Sequence, residues 1–269
     1  MAQYVSLERP REGVALVTMS NPAINNHGSW AGIGELATTM KEARESGARV
    51  TVLASGVPGH WFEHAWLHDL ADGMEGKPTT GNGIAWYNAL FEIGKTDVVT
   101  IAAVSGDCSG GGAELGWACD LRIAEEQALF GQPEVQIALT TGIGGTSRVA
   151  RLIGRTAAAE LVMLGRPMTA RRIHELGGVN EVVPAGTSVE VALRWADQLA
   201  SRPAKALATL KQILIGNDDL HLTDALANEQ RLFQSVATTP EAARTMRGIQ
   251  TRFDGGESIR GVYGLPRDF

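Results

Sequence analysis

The chain has 269 residues, a formal net charge of −6 at pH 7 and no stripe of basic residues. This balance argues against nucleic acid or an anionic membrane as a partner, because both are bound through clustered Lys and Arg side chains. Cys108 and Cys119 are too few for a disulfide framework or a metal cluster, and we expect two buried free thiols. The N-terminus has no apolar signal-peptide core and no long apolar run follows, so we expect a cytoplasmic protein without a membrane anchor.

The first part of the chain predicts alternating strands and helices. Apolar periodicity and turn residues give, in order, a β-hairpin over 4–20, a helix over 30–45, a strand over 49–55, a helix over 83–94 and a buried strand over 98–106. Residues 56–82 are rich in Gly, Pro, His and Trp, and predict a long loop with one helical turn within 64–74. Loops of this length are usually functional or mobile.

The second part becomes increasingly helical. A third helix is predicted to start inside the triple glycine 110–112 and to end near Cys119, followed by two short strands. Three short helices then end at glycines that favour a left-handed cap, namely Gly154, Gly165 and Gly177. The stretch from about Ser188 to Phe253 is nearly all helical in pattern. We therefore predict a core over 1–187 and a C-terminal helical region over 188–269.

Two carboxylates on separate turns carry the clearest chemical signal. Glu114 follows the triple glycine, and Glu134 lies in the turn GQPE. Paired acids beside a reacting bond can act as general acid and general base, each contributing a factor of about 10² to 10⁴ in rate. The glycines allow backbone N–H groups to approach a developing oxyanion. This pattern indicates an enzyme that acts on a carbonyl compound, although Glu114 could instead cap its helix and Glu134 could be a solvated turn residue.

A set of motifs resembles the crotonase (enoyl-CoA hydratase/isomerase) superfamily over nearly the whole chain: IAAVSG, GGGAEL, CDLRIA, ALFGQPE, GGTSRV and a helical tail ending in TRFDGG. The resemblance implies an α/β fold with a core built as a spiral of ββα turns. It also implies a C-terminal helical region that forms homotrimers, often paired into homohexamers. The expected substrate is an acyl-CoA thioester, with coenzyme A as part of the substrate and no other cofactor.

The resemblance also assigns roles to individual residues. Glu114 and Glu134 match the two catalytic glutamates, and the N–H of Gly111 matches one oxyanion donor. With Phe62 aligned on the family's usual aromatic residue, the N–H of Trp66 matches the second donor. The residues expected to bind substrate are Ala65, Leu67, Gly110, Pro133 and Gly142.

Two departures from the family pattern concern the loop and the coenzyme. The usual A-G-A-D sequence is replaced by Ala65, Trp66 and Leu67 after His64, and an indole there would reshape the space beside the thioester. Asp69 falls where a lysine would help to hold phosphate. Each lost charge-assisted contact weakens coenzyme A binding by roughly 1.5 to 3 kcal/mol.

The preferred function is therefore hydration of an α,β-unsaturated acyl-CoA. Isomerisation of an acyl-CoA and coenzyme-independent hydrolysis of a carbon–carbon bond in a β-diketone are alternatives within the superfamily. A non-catalytic oligomeric scaffold is disfavoured, because a scaffold needs neither glutamate.

The histidines of the loop invite a metal assignment that we do not make from the sequence. His60, His64 and His68 repeat every four residues, but glycine and aromatic neighbours favour a loop at that end. We expect polar loop residues and no metal. His27 is expected at the surface, near the mouth of the same cleft.

Overall fold

The computed structural model describes residues 3–264. Within that range the strands are β1 (Val5–Arg11), β2 (Val14–Met19), β3 (Val50–Ser55), β4 (Gly59–His60), β5 (Val99–Val104), β6 (Gly106–Ser109), β7 (Leu121–Glu125), β8 (Leu129–Gly131), β9 (Met168–Thr169) and β10 (Glu181–Val183). The helices are α1 (Trp30–Glu45), α2 (Leu67–Met74), α3 (Ile84–Ile93), α4 (Gly110–Ala118), α5 (Gly145–Ile153), α6 (Arg155–Leu164), α7 (Ala170–Glu175), α8 (Ser188–Ala200), α9 (Ala204–Gly216), α10 (Leu222–Ala237), α11 (Pro240–Asp254) and α12 (Ile259–Tyr263). Short 3-10 turns span Pro22–Ile24 and Glu134–Ile137.

Two sheets form the core of the α/β fold. The larger has six strands in the order β1-β2-β3-β5-β7-β10, in which only the β1–β2 pair is antiparallel. The smaller has the order β4-β6-β8-β9, with an antiparallel β8–β9 pair. Strand β5 is buried along its whole length and continues almost directly into β6 in the other sheet. The chain steps from the larger sheet to the smaller between β3 and β4, β5 and β6, and β7 and β8, and each step is followed by a helix, which agrees with the predicted spiral of ββα turns.

Most of the predicted elements are confirmed. Helix α1 covers the predicted range, and the side chain of Ser29 accepts a hydrogen bond from the N–H of Gly32 as an N-cap. Gly165 and Gly177 have φ of 61° and 88° at the ends of their helices, as predicted. Gly154 also has a positive φ of 80°, but its ψ of 154° lies outside the left-handed helical region, so the predicted left-handed cap was wrong there. The loop prediction was partly wrong, because α2 forms two turns of helix there rather than one.

Glycines let the start of α4 approach the preceding loop closely. Gly110 has φ of 49°, in the left-handed region. A Cβ on Gly112 would overlap the carbonyl oxygen of Phe62, so only glycine allows this backbone contact. At the other end of α4, the buried Arg122 donates hydrogen bonds to the carbonyls of Gly116 at 3.1 Å and Cys119 at 2.6 Å. Helix α4 is therefore fixed at both ends.

The chain divides into compact units after Ala204, at a later position than the predicted boundary at 187/188. Helix α8 belongs to the first unit because it packs on β3 and β5. Its first residue is tied to β7, where the hydroxyl of Ser188 donates to Glu125 Oε1 at 2.8 Å.

The second unit, Lys205–Phe269, is helical in its described part. Asn217 Oδ1 accepts a hydrogen bond from Asn228 Nδ2 at 2.7 Å, joining α10 to the end of α9. Several large apolar side chains of these helices are exposed, including Leu214, Leu222 and Phe233. Within residues 3–264, no helix combines the length and the apolar character that crossing a bilayer requires.

Candidate active site

A cavity of about 430 Å³ lies within the first unit, between α2, α3, α4 and the 3-10 turn that starts at Glu134. Its wall is largely apolar and includes the side chains of Trp30, Leu70, Met74, Trp86, Tyr87 and Leu139. Eight of the nine predicted site residues line it: Ala65, Leu67, Gly110, Gly111, Glu114, Pro133, Glu134 and Gly142. Trp66 is the predicted site residue that does not. An apolar cavity with a few convergent polar groups is the usual form of a small-molecule site.

Glu114 lies on α4 and is almost fully buried, with 3% of its surface exposed. Its Oε1 accepts hydrogen bonds from the backbone N–H groups of Ile143 at 3.0 Å and Gly145 at 2.7 Å. Burial raises the pKa of Glu114, and these two hydrogen bonds partly offset the rise. Nearby charges act in opposite directions, since Glu134 raises the pKa further and Arg148 lowers it. The contacts orient one carboxylate oxygen and stabilise the ionised form.

Glu134 is placed by the left-handed end of its 3-10 turn, where Ala138 has φ of 59°. Its Oε1 accepts a hydrogen bond from Gln132 Nε2 at 3.2 Å. Its Oε2 is buried and has no hydrogen-bond partner among the described residues. Burial is also the main cause of the raised pKa of Glu134. A buried carboxyl oxygen without a partner favours the protonated form, which can donate a proton to a ligand in the cavity.

One candidate oxyanion donor is the N–H of Gly111, in the first turn of α4. The N–H groups of a first helical turn have no partners within the helix, and the preceding Ser109 makes no side-chain cap. The ring of Trp86 lies against Gly111, since a Cβ there would be 2.9 Å from the indole. Glycine therefore allows the indole to pack beside the donor, and the sequence alone did not indicate this role for Trp86.

The structure corrects the second predicted donor, Trp66. The N–H of Gly28 donates to His64 O at 3.0 Å and the N–H of Trp66 donates to Gly28 O at 3.1 Å, which makes a parallel bridge between Gly28 and Ala65. The N–H of Trp66 is therefore already used. In this pattern Ala65 directs its own N–H away from Gly28, and no described residue accepts a hydrogen bond from it. Because Ala65 lines the cavity, its N–H is the better candidate.

The side chain of Trp66 also differs from expectation. It contacts His68 edge to face, with ring centroids 5.2 Å apart, instead of lining the cavity. Trp66 is the N-cap residue of α2. Trp61 and Phe62 are both fully buried and stack on each other, with ring centroids 4.2 Å apart.

Asp69 has an internal role that the sequence did not predict. Its side chain is buried and accepts hydrogen bonds from the backbone N–H groups of Trp30 at 2.7 Å and Thr80 at 2.9 Å. Asp69 thus joins α2 to the start of α1 and to the loop that follows α2. Its carboxylate holds the cavity wall together instead of facing a phosphate.

Four polar residues of the loop and of the segment before α1 meet beside the cavity. Oε2 of Glu63 lies 2.8 Å from Nε2 of His27. Oε1 of Glu63 lies 2.5 Å from Nδ1 of His60. The hydrogen bond with Glu63 raises the pKa of His27, although burial by itself would lower it. Burial alone would raise the pKa of Glu63, but its hydrogen bonds with His27 and His60 hold that pKa below its usual range. The ring of His64 packs 4.3 Å from that of His27, whereas the exposed His68 lies on α2.

The chain resembles known proteins over most of its length. The family model described as enoyl-CoA hydratase/isomerase matches residues 9–253. A probable mitochondrial enoyl-CoA hydratase of Dictyostelium discoideum is 31% identical over 248 residues, covering 92% of this chain and 88% of that protein. The 2,3-dehydroadipyl-CoA hydratase of Escherichia coli is 29% identical, covering 86% and 89%. The crystal structure of enoyl-CoA hydratase from Bacillus anthracis superposes with a TM-score of 0.83 at 27% identity, covering 93% and 97%.

Proposed function

Because the chain belongs to the enoyl-CoA hydratase/isomerase family and is an enzyme of that type, we propose that it adds water across the double bond of an α,β-unsaturated acyl-CoA thioester. The acyl chain occupies the apolar cavity between α2 and α3. The thioester carbonyl lies between the N–H groups of Ala65 and Gly111. Glu114 and Glu134 line the same cavity as these donors and act on the Cα–Cβ bond.

The two glutamates divide the proton transfers between them. Glu114 accepts a proton from water as the water oxygen bonds to Cβ, since its two backbone hydrogen bonds favour the carboxylate. The π electrons of the double bond move toward the thioester oxygen, giving an enolate. Glu134, whose pKa is raised by burial, then donates its proton to Cα. The product is a 3-hydroxyacyl-CoA, and proton exchange with solvent restores both side chains.

Backbone donors stabilise the enolate oxygen in this proposal. Each donor of this kind lowers the barrier by about 2.7 to 4 kcal/mol, as judged from the loss when one is removed. The N–H of Gly111 is preorganised by α4. The N–H of Ala65 is preorganised by the bridge to Gly28, so neither donor needs to reorganise during the reaction.

A single observation supports hydration most strongly: two carboxyl groups of different environment, the buried Glu114 and the half-buried Glu134, share one apolar cavity. Glu114 is held by two N–H groups, whereas Oε2 of Glu134 has no partner in the described structure. We expect crotonyl-CoA to lose its conjugated-thioester absorbance when the protein is added, with a product heavier by one water. If only double-bond migration is seen with a 3-enoyl-CoA, the enzyme is an isomerase and hydration is contradicted.

One observation favours a second candidate, the coenzyme-independent hydrolysis of a β-diketone. Among the described residues, those that line the cavity include no lysine and no arginine. This candidate predicts cleavage of a cyclic β-diketone at a rate that free coenzyme A does not inhibit. Hydration of crotonyl-CoA with competitive inhibition by coenzyme A would exclude it.

Assembly and location are further parts of the proposal. Exposed apolar side chains on α9 and α10 are of the kind that a subunit interface covers, and we propose a homotrimer or a pair of trimers. Sedimentation at micromolar concentration tests this, and a stable monomer would contradict it. We also propose a cytoplasmic location, which cell fractionation tests.

A further inference from the structure

We propose that His27, Glu63 and His64 form a binding site for a divalent transition-metal ion of the zinc class, which goes beyond the proposed hydration. One nitrogen from each imidazole and one carboxylate oxygen lie within 4.8 Å of one another. Two of these atoms, His27 Nε2 and Glu63 Oε2, are already 2.8 Å apart. We refer to these three residues as the His–Glu–His cluster.

The surroundings of both imidazoles match those of metal ligands. Ligating histidines nearly always donate their other ring N–H to a carbonyl or a carboxylate, which fixes the ring and leaves the second nitrogen free to bind. Nδ1 of His27 contacts the carbonyl oxygen of Ile24, and Nδ1 of His64 lies 2.8 Å from the carbonyl oxygen of Ala65. In His64, Nε2 is therefore the atom available to the metal, whereas Nε2 of His27 would exchange its 2.8 Å contact with Glu63 Oε2 for a bond to the ion.

The carboxylate is supported in the same way. Oε1 of Glu63 lies 2.5 Å from Nδ1 of His60, whereas Oε2 lies 2.8 Å from Nε2 of His27. The side chains of His27 and Glu63 are 20% and 16% exposed, so the cluster is sheltered but open to ions from solvent. A carboxylate oriented by a neighbouring donor is the usual outer-sphere arrangement of a metal site.

The donor set and its spacing decide which metal fits. Two imidazoles and one carboxylate suit zinc and other borderline ions, whereas magnesium and calcium prefer all-oxygen sites. Bonds of about 2.0 to 2.1 Å in tetrahedral geometry place ligand atoms roughly 3.3 Å apart. Because the three atoms lie within 4.8 Å of one another, a shift of about 1.5 Å brings even the longest separation to that value. Because His64 also lines the cavity, the ion would lie at the cavity wall.

Of the three loop histidines that the sequence grouped together, only His64 belongs to this site. His60 supports the carboxylate and His68 is exposed on α2, whereas His27 comes from the segment before α1. This division supplies matched controls, because His64 and His68 come from the same stretch of chain but only His64 belongs to the His–Glu–His cluster.

The test is calorimetric titration of the full chain with zinc chloride alone, after removal of metal by chelation and dialysis. We expect one saturable site per chain, weakened at least about tenfold in His27→Ala, Glu63→Gln and His64→Ala. His60→Ala should weaken binding by about 10-fold to 100-fold, as losses of outer-sphere contacts do. His68→Ala should bind like the wild type. No saturable binding by the wild type, or equal losses in His68→Ala and His64→Ala, would overturn the proposal.

X-ray absorption of the zinc-loaded wild type decides the matter even if a variant fails to fold. We expect a zinc shell with two imidazole nitrogens at about 2.0 to 2.1 Å and no sulfur. A shell with one imidazole or none, or with sulfur from a cysteine, would contradict the assignment.

Discussion

The two backbone donors of the cavity lie on regions that are built in different ways. The first turn of α4 is defined by its own residues, because a glycine with φ of 49° and an uncapped helix start leave N–H groups free. The loop over 56–66 has little regular structure and is shaped by distant partners, namely Gly28, Gly112 and His27. A donor on a helix start can thus be recognised from local residue types. The loop donor is instead defined by a distant residue: Gly28 forms hydrogen bonds with the residues on either side of Ala65 and thereby leaves the N–H of Ala65 free.

The largest expected effects on activity come from substitution of Glu114, on α4, and of Glu134, at the start of the 3-10 turn. Glu134→Gln and Glu114→Gln keep the shape of the side chain but cannot exchange the proton, and each should lower kcat by about 10² to 10⁴. The affinity for the 3-hydroxyacyl-CoA product should change little, since no apolar contact is lost. Steady-state kinetics on crotonyl-CoA checks this. A variant that keeps more than about a tenth of kcat would remove that glutamate from the mechanism.

The loop donor is tested by removing one N–H. Ala65→Pro should lower kcat by about 10² to 10³, because proline has no N–H to give to the oxyanion. Ala65→Gly keeps the donor and is the matched control, with kcat expected within a few-fold of the wild type. Thermal unfolding of both variants must be similar before rates are compared. Equal kcat in a folded Ala65→Pro protein would show that the second donor lies elsewhere.

The contact between the two regions is tested at Gly112. Gly112→Ala places a methyl group against the carbonyl of Phe62 and should shift the loop, with a loss of about 10-fold to 10² in kcat/KM. The strain should also lower the free energy of unfolding by about 1 to 3 kcal/mol. Gly142→Ala is the control, since a Cβ there meets no atom within 4 Å although Gly142 lines the same cavity. Similar kinetics for the two variants would contradict the close approach.

The buried setting of Glu134 predicts a stability that depends on pH. Folding raises its pKa, so below the pKa of the unfolded side chain both states are protonated and ionisation costs nothing. The protonated side chain of Glu134 therefore contributes its full stability at low pH. This contribution is lost as pH rises through the folded pKa, because the carboxylate forms more easily in the unfolded chain than in the folded one. Glu134→Gln should therefore be more stable than the wild type at neutral and alkaline pH, with the difference shrinking in acid. Urea unfolding across pH checks this, and a pH-independent difference would contradict it.

The smallest effect is expected at Trp66, whose indole lies outside the cavity wall. Trp66→Ala keeps the N–H that donates to Gly28 and should leave kcat and acyl preference within about twofold, as for surface substitutions. Rates on a short and a long enoyl-CoA check this. A marked gain with bulky acyl groups would restore the indole to the site and favour the original alignment.

The sequence predicts the regions that are defined by local residue types better than the loop that is shaped by distant partners. Helix α1, the start of α4 and the caps at Gly165 and Gly177 depend on local residue types, and they were predicted correctly. The position of the loop donor depends on the bridge between Gly28 and Ala65, which are far apart in sequence. No pattern within residues 56–66 shows which N–H groups the bridge uses. The pairing of Glu63 with His27 was missed for the same reason.

The central claim is that the two glutamates and two backbone donors of one apolar cavity hydrate an enoyl-CoA. The most direct measurement follows crotonyl-CoA by absorbance and mass spectrometry, with the wild type and the Glu114→Gln/Glu134→Gln double variant at matched concentration. The account predicts loss of the conjugated-thioester absorbance and a product heavier by one water with the wild type, and neither with the double variant. Unchanged crotonyl-CoA with the folded wild type, or equal turnover by both proteins, would contradict it.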